Sequence, residues 1–521
     1  HGAHHLALDT LTDDEARALL CRRLGAARVA AEPQPVAELV GLCGGLPLAL
    51  GIIAGRAHTH PRVPLAEFAA DLRGLGLGAL DDDDPATGLT SVLSWSYHAL
   101  TTQQQVVFGL LGIAPGPDIS LPAAASLTGL PPTEAARMLR GLQESSLLDR
   151  NTHSRYSMHD LIRRYATDTA HYIPDDVREA ALRRVVDFYL HTAFAADRLL
   201  NPHRPPIQLD QPAPGAHPHP LADGSVALAW LDIHHLHLLA AQHAGAVHHR
   251  HQTVWQLAWT LTIFHQRRGR LHDNLAVWQT ALRAASHLPD PTCRIHSHRF
   301  LGSAHAELER HEQAIDHLHQ ALALAEHQGN RIQQAHTHLT LATAWQRQGD
   351  ARQALDHARR ALDFFRTLDQ PVWEAEALNL MGWHAAHLGE YETARHYCQT
   401  ALVLLRRHDD PHGEAAVLDS LGYVEHHSGR QDQAIHHYGH ALTLYRTLGH
   451  SYEVANTLDN LGHPHTALGH HTQAREAWRE ALELYRDQGR NDDAARVQRQ
   501  LDDLNTHDNG DQPPPTAESA N

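Results

Sequence analysis

GEYETARHYCQTAL, residues Gly389 to Leu402, carries positions that return along the chain at a fixed step of 40 residues. Its closing pair Ala401-Leu402 has counterparts at Ala281-Leu282, Ala321-Leu322, Ala361-Leu362, Ala441-Leu442 and Ala481-Leu482. Ala394 keeps the same step with Ala314, Ala354, Ala434 and Ala474, and Gly389 keeps it with Gly269, Gly349, Gly429 and Gly469. A further series, Gly302, Gly382, Gly422 and Gly462, follows the same step in four of the units. Glycine at the Gly389 position fits a helix C-terminus in the left-handed region. Each unit is therefore a helical hairpin, with small residues where its two helices meet and an apolar stripe that the next unit covers. That is the logic of a solenoid. Six units run from about Gln252 to Gly489. Two departures stand out: Glu309 replaces the turn glycine of the second unit, and Pro464 sits inside the first helix of the last one, where it should kink the helix and leave a frayed end.

These units resemble tetratricopeptide repeats, in a 40-residue variety with long helices. In units four to six, Asn379 with Trp383, Asp419 with Tyr423 and Asp459 with His463 are spaced four apart and share a helical face. Stacked, they form a polar and aromatic ladder lining a groove for a protein or peptide, or else they are half-buried interface residues.

Composition bounds the rest. The chain has 521 residues, 42% hydrophobic, long enough for several cores. A formal charge of −17 disfavours a general nucleic-acid or anionic-membrane surface. Four cysteines, far apart and without a CxxC pair, fit reduced cytoplasmic thiols, and no signal pattern opens the chain. All 43 basic residues are arginine, so a GxxxxGK[ST] phosphate loop is excluded from this sequence. The 49 histidines are scattered without a repeated ligand spacing, so no metal is expected. No GxSxG, HExxH or CxxC pattern points to a hydrolytic enzyme.

Upstream of the repeats lies GLCGGLPLALGIIAGRA, Gly41 to Ala57; the run from Leu39 to Gly55 carries no charge, but its five glycines and Pro47 argue for a turn followed by a buried helix rather than a membrane span. Leu11 to Leu20 reads as an acidic-started amphipathic helix, and Asn201 to Gly224, rich in Pro, Gly and His, as an extended linker. The run Asp81 to Asp84 reads as a solvated linker.

The order of these segments resembles the C-terminal part of an NB-ARC, or STAND-class, nucleotide switch. Its GLPLA motif appears as Gly45 to Ala49, and its MHD motif as Met158-His159-Asp160. Leu89 to Leu100 and Pro117 to Leu130 look like the winged-helix segments of actinobacterial regulators of antibiotic-regulatory type. The resemblance implies a mostly α fold. A helical subdomain (1–75) and a winged-helix subdomain (85–170) precede a helical connector (171–250, with the linker at 201–224), six repeats (252–491) and a disordered tail (505–521). It also implies that Pro47 packs against a nucleotide base and that His159 reaches its diphosphate, the two halves of a clasp. Taken alone, Pro47 is a helix-start proline and His159 a helix cap. The winged helix invites a DNA-binding reading, but its helix Pro132 to Leu148 sets Arg137 and Arg140 against Glu134 and Glu144, so no basic face forms.

The expected function is thus the C-terminal portion of a signalling or transcriptional regulator, truncated upstream of its P-loop domain. ADP or ATP with magnesium would bind only in the intact parent, where slow triphosphate hydrolysis belongs; this chain alone is expected to hold no cofactor. The rival reading is a stand-alone tetratricopeptide-repeat adaptor without nucleotide switching.

Overall fold

In the computed structural model, residues 11–75, 89–152 and 154–510 are described. The acidic run Asp81 to Asp84 and residues 511–521 of the expected tail lie outside them. The described chain is mostly helical and divides into two compact units, residues 1–191 with 210–219 and 236–241, and residues 192–209 with 220–235 and 242–521.

The first unit opens with α1 (Asp13–Leu24), α2 (Ala26–Ala31), α3 (Pro33–Cys43), α4 (Pro47–Thr59) and α5 (Leu65–Leu75). A reciprocal capping box between Thr12 and Glu15 starts α1. Gly44 and Gly45, both at positive φ, turn the chain from α3 into α4, where Pro47 takes the first helical position. Ala49, Leu50, Ile53 and Ala54 are buried, as the apolar spacing predicts. No helix of the described residues is long and apolar enough to cross a membrane.

Then come α6 (Leu89–His98), α7 (Thr102–Gly112), α8 (Leu121–Thr128), α9 (Pro132–Glu144) and α10 (Asp160–Ala170). Three two-residue strands, β1 (Asp118–Ile119), β2 (Asp149–Arg150) and β3 (Tyr156–Ser157), form an antiparallel sheet with β3 in the middle. Helix α9 stops at Glu144 rather than Leu148, because Ser146 turns to positive φ and Leu147 and Leu148 are drawn into the core.

The expected connector is not a body of its own: α11 (Asp175–Leu200) and α12 (Gly224–Val247) each give residues to both units. Residues 201–223 run without helix or strand, as the linker reading expects, and are held in place. Their backbone is fixed at Ala213, whose N–H donates to Asp187 (2.9 Å), and at His217, whose N–H donates to the Ser126 hydroxyl (3.0 Å). Arg204 is 5% exposed, its guanidinium 3.7 Å from the Trp259 ring centroid. Prolines hold such a strap extended, and buried partners fix it in place.

The second unit contains six hairpins. They are α13 (His251–Arg268) with α14 (Leu271–Ala285), α15 (Thr292–Glu307) with α16 (His311–His327), and α17 (Arg331–Arg347) with α18 (Ala351–Thr367). The others are α19 (Pro371–His387) with α20 (Tyr391–Arg407), α21 (Pro411–His427) with α22 (Gln431–Thr447), and α23 (Ser451–Ala467) with α24 (His471–Asp487). The repeating alanines, Ala314 and Ala401 among them, are fully buried. At Gly422 a Cβ would stand 2.6 Å from the Tyr438 ring, and at Gly462 it would stand 2.1 Å from the Trp478 indole. In the last two hairpins those glycines make room for an aromatic side chain of the second helix. Glu309 adopts φ +58°, doing without glycine what Gly349 and Gly389 do with it.

From the second hairpin on, each first helix packs on the first helix of the next hairpin, and no pair of successive second helices packs as closely. The first helices therefore line the inner, concave side. The solenoid also meets itself: Arg267, at the end of α13, donates to the Leu448 carbonyl (2.7 Å), and the Ser451 hydroxyl donates to the Arg267 carbonyl (3.1 Å). The last unit is not frayed. Helix α23 runs through Pro464, whose missing N–H costs one bond in the final turn. Trp478, Tyr485, Val497 and Leu501 share one core across α24 and α25 (Asn491–Gly510). Residues 505–510 of the expected tail are thus helical.

Candidate functional site

Pro47 is exposed at the start of α4, and His159 is half-buried at the N-cap of α10. The two motifs meet within the first unit. His159 Nε2 lies 2.7 Å from the Gly44 carbonyl oxygen, one residue before GLPLA, while Nδ1 accepts the Leu161 N–H at 3.3 Å. The ring that satisfies both partners is the neutral tautomer with hydrogen on Nε2. A Cβ on Gly44 would fall 2.2 Å from Nε2, so the imidazole needs glycine there. Gly45 is fixed in turn by its carbonyl, which accepts from Leu11 N–H at 2.9 Å. The histidine is thus a helix cap, as its sequence context alone allows, and a latch onto the turn that precedes Pro47.

The small sheet is anchored by charge. Arg155, 8% exposed, donates through Nε to Asp118 at 2.7 Å, and the same carboxylate lies 2.8 Å from His237 Nε2. On α9 Arg137 pairs with Glu134 at 3.4 Å, so one of its two cations is answered locally, as the charge pattern implies.

The ladder is brought together only in part. The Trp383 and Tyr423 rings lie 4.7 Å apart, and His387 and His427 stack on Tyr423 at 4.8 and 3.9 Å. Those four form one aromatic patch, of which the 40-residue spacing pointed to two. The polar partners are committed elsewhere. Asp419 accepts the Thr457 hydroxyl at 2.7 Å, and burial pushes its carboxyl up to about 7. Asp459, 3% exposed, pairs with Arg496 and accepts the Tyr485 hydroxyl at 3.3 Å. Asn379 faces the Cys398 thiol at 3.8 Å, and His463 lies against Trp478 and Gln500. Among the described residues no three His, Cys, Asp or Glu side chains converge as a metal cage.

Residues 292–367, 373–447 and 420–487, the second to sixth hairpins of the solenoid, match the tetratricopeptide repeat family. Two curated regulators are similar in sequence. The regulatory protein AfsR of Streptomyces coelicolor is 36% identical over 267 residues, 50% of this chain and 26% of that protein. AfsR of Streptomyces griseus is 40% identical over 205 residues, 39% of this chain and 21% of that protein. The chain spans about a quarter of the length of these relatives, and its resemblance to an actinobacterial regulatory protein, with tetratricopeptide repeats in this chain, is upheld. Among solved structures, a STAND protein with a tetratricopeptide repeat sensor from Pyrococcus horikoshii aligns over 92% of this chain and 66% of its own at 15% identity, with a TM-score of 0.38. A Rap protein complexed with competence and sporulation factor aligns over 64% and 93% at 14% identity, with a TM-score of 0.42.

Proposed function

We propose that the chain is the C-terminal portion of a transcriptional regulator in which a nucleotide switch is coupled to a repeat solenoid that docks a protein or peptide. The contact of His159 with Gly44 carries this reading. The histidine of MHD bonds to the residue just before GLPLA, 115 positions away in sequence, and that bond can form only while the segment carrying α10 is folded against the α3–α4 turn. In a parent that also holds a P-loop domain, ADP would sit beside Pro47, and His159 would turn from the Gly44 carbonyl to the diphosphate. A ligand shifts such a balance only through contacts that differ between the two states. The β1–β3–β2 sheet with α8, α9 and α10 is read as the winged helix of that switch, and the Trp383, Tyr423, His387 and His427 patch as the docking surface.

The test is His159→Ala in the parent protein. Uninduced reporter output or self-association should rise as the closed form loses its latch; an unchanged closed monomer with normal ADP retention refutes the assignment. The rival adaptor reading draws on the same histidine, both of whose ring nitrogens are already satisfied within the protein. An in-frame GxxxxGK[ST] encoded directly upstream of His1 decides between them.

A further inference from the structure

Inside the second unit, one group of cations lacks the anions that would normally answer it. Arg299, on the first helix of the second hairpin, makes no hydrogen bond: its Nε is shut off from water without a partner, and its guanidinium carbon sits 4.3 Å from the Phe300 ring centroid. Arg204, delivered by the proline-rich strap, lies 5.3 Å from the same centroid. Its Nη1 is shared between Asp197 (2.8 Å) and the Trp259 carbonyl (3.0 Å), while its Nη2 is buried and unpartnered. Trp278 stacks on Phe300 at 4.6 Å and 21°, covering one face of the ring.

The walls are aromatic. His296 lies 4.8 Å from Trp259, and His336 lies 4.5 Å from Trp373. Burial and the two arginines hold both imidazoles well below their ordinary range, so they add no positive charge and offer neutral donors. Burial and then Arg204 pull Arg299 itself down. Glu376 is the acid that Arg299 senses, yet no hydrogen bond joins them, and the Glu376 side chain reaches solvent. Asp197 thus answers Arg204 through one nitrogen only, and no carboxylate is hydrogen-bonded to Arg299. An uncompensated charge in such a place is costly, and a guanidinium fork matches a carboxylate or phosphate in two-point fashion.

We propose that Arg204 and Arg299 form an oxyanion site on the inner side of the first three hairpins, which takes the carboxylate or phosphate group of a small ligand whose flat apolar part lies against Trp259, Phe300 and His296. The site deepens the reading of the solenoid as a sensor and rests on it, but uses a surface separate from the Trp383 and Tyr423 patch. Because the strap brings Arg204 and the hairpins bring Arg299, an anion between them would tie residues 201–209 to the start of the solenoid.

The test is thermal melting of the 521-residue chain in inorganic phosphate and in succinate, each against chloride at matched ionic strength. The wild type should gain a saturable rise in Tm with one or both anions: phosphate alone assigns a phosphorylated ligand, succinate alone a carboxylate. Arg299→Met should weaken the apparent anion affinity at least tenfold, and without anion it should melt no lower than the wild type, since it removes an unanswered charge. Arg299→Lys keeps the charge and loses the fork, so several-fold weaker binding is expected; this variant carries the test if the methionine protein folds poorly. No rise beyond chloride in the wild type, or an unchanged response in both variants, overturns the site. Such a failure, with partner capture still lost on Trp383→Ala with Tyr423→Ala, would leave the sensor reading standing.

Discussion

Lowering the pH from 7.5 to 5.5 should loosen the solenoid through its buried histidines. His235, His305, His338 and His384 are between 0 and 6% exposed, and burial, reinforced by neighbouring arginine or histidine, holds each down to about 4. In the unfolded chain they return to about 6.5. With the folded value depressed, the unfolded state binds protons first as pH falls. Stability is therefore whole above about 6.5, drains away below it, and stops changing for these groups once pH passes about 4. At pH 5.5 each contributes a loss of about 1 kcal/mol, and the four together cost on the order of 4 to 6 kcal/mol. That is a large part of an ordinary domain's net stability, about 5 to 15 kcal/mol. Urea midpoints by circular dichroism at constant ionic strength should fall steadily from pH 6.5 to 5.5. His384 isolates the cause, because both its ring nitrogens are buried without a partner. His384→Leu should cost nothing at pH 7.5 and recover about 1 kcal/mol of the loss at pH 5.5. A midpoint flat across that range, or a His384→Leu protein as acid-sensitive as its parent, refutes the reasoning.

Other substitutions probe the architecture. Glu309→Gly should relieve a left-handed residue and raise stability by about 1 kcal/mol in the same denaturation assay; a loss would mean that Glu309 earns its place through its side chain. Gly462→Ala drives a methyl into the Trp478 indole and should lower stability by about 1 to 3 kcal/mol, measured as a drop in Tm. Arg267→Gln removes the guanidinium contact from the end of α13 to Leu448, so small-angle scattering of the chain should show a larger radius of gyration with helicity kept. Trp383→Ala with Tyr423→Ala should abolish partner capture while leaving the far-ultraviolet spectrum nearly unaltered; joint loss of fold and binding would make the pair core residues.

What was legible in the sequence is what repeats or is local. The alanine and glycine registers place all six hairpins, and GLPLA and MHD mark the two ends of one contact. A second register is harder to see: after the second helices of hairpins two to six the chain turns again at Gly329, Asp369, Asp409, Gly449 and Gly489, all at positive φ. Aspartate replaces glycine twice in that series, which hides the period although aspartate tolerates this conformation. The strap at 201–223 reads as a linker because its composition is that of one; its order comes from Asp187, Ser126 and Trp259, none of them near in sequence. Pro464 suggests disruption because a local rule cannot see α25 packing beyond it. Arg299 and Arg204 are 95 residues apart and show nothing until Phe300 stands between them.

The latch between His159 and the GLPLA turn is tested by ADP calorimetry on three proteins: this chain, the parent that includes the upstream domain, and that parent with His159→Ala. This chain has no lysine to gather phosphates, and His159, proposed above to reach the diphosphate, is already bonded to Gly44 and Leu161, so binding weaker than about millimolar is expected. The wild-type parent should bind with micromolar or better affinity. Loss of one charge-assisted hydrogen bond, about 1.5 to 3 kcal/mol, should weaken the variant at least tenfold. Micromolar binding by this chain alone, or equal affinity in the two parent proteins, would contradict the latch.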